Sequence, residues 1–365
     1  MKFTTDTKIK IFSVLLCLIV SISSALYYTN KQEEERSIQQ IEKPTLATRT
    51  NTSPALSSLD ELCRRLKLYP HVYYSSVHYY QETKDYGTYV IPGLKATYTL
   101  KNNKPSMCTD MTPQGLCVAG NYILVSAYCH NRNHNSVIYV IDKKNGQFIK
   151  EIILQGKPHA GGLAYDPIRK EIWLTSKRKG IPELCVFTME QLETYNARKD
   201  ATIKYAYRYS IPTLPNASYL SYHNNAIFVG TFSHEERESK VQVFSLTRTK
   251  NVKENAENRY FILEKVIRTN TNVQGIAQDD AYLYFSRSDG PFLNSKLELF
   301  NKDISNATNE EALFLYNFPE RMEQIYLEGD KMYILFESAA HGYNRVGLNF
   351  IDRIIVVNKT VLLSN

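Results

Sequence analysis

Hydrophobic positions in this chain follow a scheme that recurs five times. A short turn enters an apolar strand, a second apolar strand follows closely, and a third alternates apolar and polar residues. The entries are Pro113-Gln114-Gly115-Leu116, Ala160-Gly161-Gly162-Leu163, Ala217-Ser218-Tyr219-Leu220, Val273-Gln274-Gly275-Ile276 and Met322-Glu323-Gln324-Ile325, spaced by 47, 57, 56 and 49 residues. Second strands are predicted at 122–128, 172–177, 226–232, 282–287 and 332–338, and third strands at 136–142, 183–188, 240–245, 296–301 and 353–358. Near-continuous apolar runs suit strands buried on both faces, and alternation suits the more exposed outer ones. Between them stand hairpin turn residues such as Gly120-Asn121, Asn224-Asn225, Asp279-Asp280 and Gly329-Asp330. A supersecondary unit of this kind repeated at about this period predicts an all-β propeller, one blade per copy.

Ahead of the repeats, Ser58 and Glu61 form a capping box opening a helix whose Leu59, Leu62 and Leu66 share a face. The passage 69–100 is rich in tyrosine, and its alternation predicts strands. Those strands either build a sixth, degenerate blade or pair with the last blade and close a five-bladed ring. A single propeller domain over 57–365 is expected. Residues 29–56 carry few large apolar side chains and read as a disordered tether. Residues 11–28 lack charge and follow an n-region, 1–10, with Lys2, Lys8 and Lys10, which predicts a signal peptide or an uncleaved anchor. Lysines before this run and acidic residues after it orient the bulk of the chain outside the cytoplasm, at the cell membrane or secreted.

Charge narrows the partners. The net charge is +7, and lysines and arginines are scattered rather than massed, which argues against nucleic acid. Five cysteines lie beyond the apolar run: Cys63, Cys108, Cys117, Cys129 and Cys185. Five is too few for a disulfide scaffold. Either Cys108 pairs with Cys129, which ends the following strand, or all five are free and Cys117 and Cys185 serve as small core residues. Cys129, His130 and His134 invite a metal reading, but no helix spaces the imidazoles, so no metal ligand is assigned.

Candidate chemistry gathers where inner strands enter the central channel. The repeat makes Gln114, Gly161, Ser218, Gln274 and Glu323 equivalent, with His159 just ahead of the second entry. Second-strand ends add Tyr128, Lys177, Arg287 and Glu337. Glu323 and His159 are the candidate catalytic acid and base. The others are candidate funnel residues for binding, although Gln114 and Gln274 equally suit bonds to neighbouring blade backbones. A carboxylate near the axis needs a cation, an arginine or a proton, and Arg287 or Lys177 would supply the positive charge for Glu323.

The segments Pro113-Gln114-Gly115-Leu116, His159-Ala160-Gly161-Gly162-Leu163, Val229-Gly230-Thr231-Phe232, Gln274-Gly275-Ile276-Ala277 and Leu335-Phe336-Glu337-Ser338-Ala339 resemble a family of secreted or membrane-anchored bacterial propeller proteins, over about residues 108–358. A more distant similarity is to strictosidine-synthase, paraoxonase and senescence-marker-protein propellers. That similarity implies a divalent cation such as calcium in the funnel, held by an inner-strand glutamate at the position of Glu323. Here Gln324 stands where that motif has glycine. Two functions follow as expectations. One is a membrane-tethered binding module that takes a carbohydrate, peptide or surface protein in its funnel, in keeping with 27 tyrosines. The other is a funnel-sited hydrolase or lyase using Glu323 and His159.

Overall fold

The computed structural model describes residues 55–83, 87–197, 199–251, 256–344 and 349–364, together with positions 21 and 24, which are helical. The rest of the apolar run 11–28 and nearly all of the tether 29–56 lie outside the described residues. No helix among the described residues is long and apolar enough to cross a membrane.

Five sheets, antiparallel except for one short parallel strand at the edge of blade 3, make up a five-bladed β-propeller. From the axis outward, blade 1 comprises Met111–Ala119, Tyr122–Cys129, Val137–Asp142 and Phe148–Ile153. Blade 2 comprises Leu163–Asp166, Glu171–Arg178, Ile181–Thr188 and Tyr207–Ser210. Blade 3 has Tyr219–His223, Ala226–Gly230 and the long hairpin Lys240–Asn251 and Ala256–Thr269, extended by the short strand Asn306–Ala307. Blade 4 runs through Val273–Gln278, Tyr282–Arg287, Ser295–Asn301 and Phe314–Phe318.

Blade 5 settles how the ring closes. Met322–Glu328, Lys331–Phe336 and Arg353–Asn358 are joined on the outside by Thr88–Val90, a strand from the start of the domain. The tyrosine-rich passage therefore closes the ring and adds no sixth blade. Its first part is helical rather than extended, with Pro70–Tyr73, a π-helical turn Tyr74–His78 and Tyr79–Thr83. Its alternation is met by helix packing: Val72 and Val77 face the same apolar cluster as Phe318, Met332 and Ile355, while Tyr74 is exposed. The helix Leu59–Leu66 carries the expected capping box and buries Leu62 and Leu66. The segment is locked down by Ser57, whose N–H and hydroxyl donate to Asp352 at 2.8 and 3.0 Å, and whose carbonyl accepts from Arg353 at 2.8 Å.

Each inner strand packs on the next, and the last packs on the first. One apolar cluster fills each blade interface, with Trp173, Tyr219, Phe285 and Phe336 among the fully buried rings. At two inner-strand positions near the axis there is no room for a side chain. A Cβ at Gly115 would lie 2.5 Å from Ser126 Oγ, and one at Gly275 only 2.7 Å from Ser286 Oγ. Those serines link consecutive blades: Ser126 donates to Ala160 O at 2.6 Å and Ser286 to Glu323 O at 2.5 Å.

One side chain ties the axis together. Gln324, 1 % exposed, reaches across the channel to three other blades. Its Oε1 accepts from the N–H groups of Leu116 (3.1 Å) and Leu163 (2.9 Å), and its Nε2 donates to the carbonyls of Leu163 (2.6 Å) and Leu220 (2.7 Å). Gln324 performs the backbone bonding that the sequence offered to Gln114 and Gln274.

Candidate functional site

The inner strands of blades 1, 4 and 5 each carry a β-bulge at the entry, between Pro113 and Leu116, Val273 and Gly275, and Met322 and Ile325. A bulge leaves a residue outside the ladder and re-aims its side chain. Gln114, Gln274 and Glu323 sit in these bulges, and all three line one cavity of about 870 Å³ at the mouth of the channel. His159, Tyr128, Lys177 and Glu337 line the same cavity. Seven of the eight candidate residues are thus brought together.

Arg287 is the exception. It lies between blades 3 and 4, where its Nε is 3.1 Å from Glu298 and its Nη1 donates to Asn309 at 3.3 Å. Glu298 is fully buried in the third strand of its blade, so Arg287 neutralises that carboxylate and does not reach the funnel. Lys177 donates to Asn216 at 3.0 Å and is not the partner of Glu323 either.

The cation beside the two acids is Arg321, which the sequence reading did not single out. Its Nη1 donates to Glu337 at 3.3 Å, and its guanidinium lies 3.9 Å from the centre of the Tyr343 ring. Glu337 also accepts from the Gln114 amide at 2.7 Å. Glu323 is 2 % exposed, and its Oε1 has no hydrogen-bond partner among the described residues. Burial pushes the Glu323 carboxyl well above its ordinary range, the neighbouring Glu337 charge adds to this, and Arg321 opposes it. Burial likewise raises Glu337, to about 7, against the pull of Arg321 and Gln114. Two carboxyls thus resist ionisation together, Glu323 the more strongly placed to keep its proton.

The wall beside the acid pair is aromatic and basic. Arg132 lies 4.5 Å from the Tyr128 ring centre, the His159 ring packs 4.4 Å from the same ring, and Arg132 Nη2 is 3.3 Å from His159 Nδ1. Burial among these walls, aided by the Arg132 charge, lowers the pKa of the His159 imidazole. The ring is exposed to the funnel on one side and flanked by Tyr128 and Arg132 on the other, a setting that favours the neutral imidazole. Farther round, Arg178 and Arg208 both pair with Glu183, and Arg208 donates to Gln155 at 2.9 Å. Asn272 bonds His234 at 2.6 Å and donates to Asp289 at 2.9 Å.

Asn272 and Arg321 stand one residue before their inner strands, both in the left-handed backbone region with φ of 61° and 60°. That conformation is uncommon for a non-glycine residue. The position one before each repeat entry marks both; the loop after the second strand of blade 1, which the repeat places at the funnel rim, supplies Arg132, whereas no residue pattern pointed to Tyr343.

Basic residues outnumber acids on the lining: Arg132, Lys157, Lys177, Arg178, Arg208 and Arg321 stand against Glu183, Asp289, Glu323 and Glu337. A calcium shell of about six to eight oxygens does not fit the acid pair, because Glu337 is already bonded to Arg321 and Gln114.

No protein-family model matches the chain, and no curated protein matches it. Solved structures do resemble it. A chain of a nidogen/laminin complex is 13 % identical with a TM-score of 0.37, covering 68 % of this chain and 84 % of that one. The Cps50 (Swd1) β-propeller domain of Myceliophteria thermophila is 11 % identical with a TM-score of 0.38, covering 67 % and 83 %. The WD40 repeats of RRP9 are 8 % identical with a TM-score of 0.34, covering 68 % and 78 %.

Proposed function

We propose that this protein is a binding propeller whose funnel takes a small polar ligand carrying an anionic group, such as an acidic sugar or the carboxylate end of a peptide. The observation that carries this reading is the convergence of polar side chains from all five blades on one cavity, with cations in excess on its wall. A volume of about 870 Å³ is in the range of small-molecule sites, roughly 300–1,000 Å³. It is too narrow for a folded partner, so a surface protein would have to offer a loop or a chain end. Arg132 and Lys157 supply attraction, the Tyr128 ring offers an apolar face for a sugar or side chain, and protonated Glu323 donates a hydrogen bond to the ligand.

A second reading rests on a specific pairing. Glu323 is biased toward the neutral acid and His159 toward the neutral base in the same cavity, and environments that push titrating groups apart in this way assign acid and base roles. A hydrolase or lyase would use Glu323 to protonate a leaving group and His159 to take a proton from water or substrate.

We infer as well that the propeller works outside the cytoplasm, held by the segment 11–28, from the lysines before that run and the acids after it. Protease treatment of intact cells, with loss of the propeller, tests this; protection of the propeller until cells are lysed would overturn it.

The functional test is thermal unfolding of the full chain against acidic monosaccharides, neutral monosaccharides and short peptides, repeated with Arg132→Ala and Glu323→Gln. Ligands that bind the native state raise the melting temperature with concentration. A shift with acidic sugars or peptides that Arg132→Ala abolishes supports binding. Turnover of the bound compound, lost in Glu323→Gln while binding persists, moves the assignment to the enzyme. Equal shifts for acidic and neutral ligands in wild type and Arg132→Ala would refute the anionic-ligand reading.

A further inference from the structure

Outside the funnel, the fold gathers Cys108, Cys129 and His134. Cys108 ends the second strand of the hairpin Thr97–Lys101 and Lys104–Cys108 that precedes blade 1, and Cys129 ends the second strand of blade 1, opposite Met111. His134 lies in the loop that follows. Both sulfurs are free thiols, 1 % and 2 % exposed, and lie within 4.8 Å of each other. His134 turns Nδ1 toward Cys129 Sγ at 3.5 Å, while its Nε2 is 3.2 Å from Ser106 Oγ.

We propose that Cys108, Cys129 and His134 form a binding site for a thiophilic d¹⁰ cation, with copper(I) the occupant that three ligands suit. The donor atoms all lie within 4.8 Å of one another. Metal–sulfur and metal–nitrogen bonds of about 2.3 and 2.0 Å in a trigonal plane would space the donors roughly 3.7–4.0 Å apart, so the arrangement needs only small adjustment. Soft thiolates with an imidazole select copper(I) or zinc. Structural zinc takes four ligands, and no fourth His, Cys, Asp or Glu joins this group among the described residues. A disulfide between the two cysteines would leave the imidazole without a purpose. Here one ring nitrogen faces the thiols and the other is held by the Ser106 hydroxyl, as the far nitrogen of a metal-bound histidine is held so that the ring stays oriented.

The site would also have a mechanical consequence. Loop 130–135 begins at Cys129, carries Arg132 into the funnel wall, and is bonded to the hairpin through Asn135, whose N–H donates to Leu100 O at 2.8 Å. A bound ion would clamp hairpin to blade and fix that wall.

The test uses the full chain, reduced with a phosphine, and copper(I) buffered by a chromophoric competing chelator. One copper per chain held against the chelator, and a melting temperature that rises with free copper(I), is the expected result. Cys129→Ser should weaken retention by at least 100-fold. The variants His134→Gln and Ser106→Ala, which keep the buried thiols and so guard against misfolding of the cysteine variant, should also weaken it, the loss of the Ser106 hydroxyl by roughly 10- to 100-fold and the loss of the His134 ligand by more. Retention of one zinc instead, lost in the same variants, supports the site with water as fourth ligand. No metal retained by the reduced protein, or retention unchanged in the Cys129 and His134 variants, overturns it.

Discussion

Replacing Gln324 by leucine removes the polar atoms at the axis while nearly conserving volume. Four backbone groups from three blades lose their partner: the N–H groups of Leu116 and Leu163 and the carbonyls of Leu163 and Leu220. A buried group left unsatisfied costs about 1–3 kcal/mol. The two N–H groups alone set the loss at about 2–6 kcal/mol, because each carbonyl keeps a second lone pair for other donors. At the middle of that range, about 4 kcal/mol, and at about 2–4 °C per kcal/mol for large domains, the melting temperature should fall roughly 8–16 °C. Equilibrium urea unfolding should show a lower midpoint with an unchanged slope. Gln324→Glu supplies an internal check, since a carboxylate can accept from the two N–H groups but repels the two carbonyls. Its deficit should shrink as pH is lowered and the carboxyl gains a proton to donate. A leucine variant melting within about 2 °C of wild type would refute the view that this amide holds the blades together.

Glu323 and Glu337 both titrate above their ordinary value of 4.5, so the folded state keeps protons that the unfolded state releases. Stability should therefore fall as pH rises from about 4.5 through about 7. Each pH unit by which a folded carboxyl lags its unfolded counterpart costs about 1.4 kcal/mol; Glu323→Gln should flatten the profile and melt higher than wild type at pH 8, and an equal slope in the variant would contradict this. Arg287→Met strands the fully buried Glu298, with a loss of about 3–5 kcal/mol seen in urea unfolding, yet affinity for any funnel ligand should be unchanged. Tyr89, buried in the closing strand and donating to Lys143 O at 2.9 Å, should cost about 3–5 kcal/mol as Tyr89→Ala, whereas no loss would mean the ring closes without that strand.

Much of the architecture was legible along the chain because it is local. Predicted second and third strands coincide with Tyr122–Cys129, Tyr282–Arg287 and Arg353–Asn358 to within a residue or so, since apolar runs, period-two alternation and turn residues act between near neighbours. The equivalence of Gln114, Gln274 and Glu323 followed from the repeat itself, as one backbone path used in several blades aims equivalent side chains alike. Helical packing in 70–83 defeated the alternation signal because the partner surface, blades 4 and 5, begins only at Val273, far along the chain. Ring closure by Thr88–Val90 was one of two topologies the sequence allowed, and only pairing with Arg353–Asn358 chose between them.

Electrostatic partners belonged wholly to the tertiary structure. Charge along the chain offered Arg287 to Glu323, but strand direction turned Arg287 into the interface between blades 3 and 4 and brought Arg321 to the acids instead. Gln324, read as a departure from a glycine motif, became the axial tie because three strands distant in sequence pass within one side chain's reach. Local pattern by itself determined which residues form strands and which sit at the funnel mouth. Which of them meet, and how far their protons are held, was decided by burial and by contacts between distant segments, for which a single chain carries no local signal.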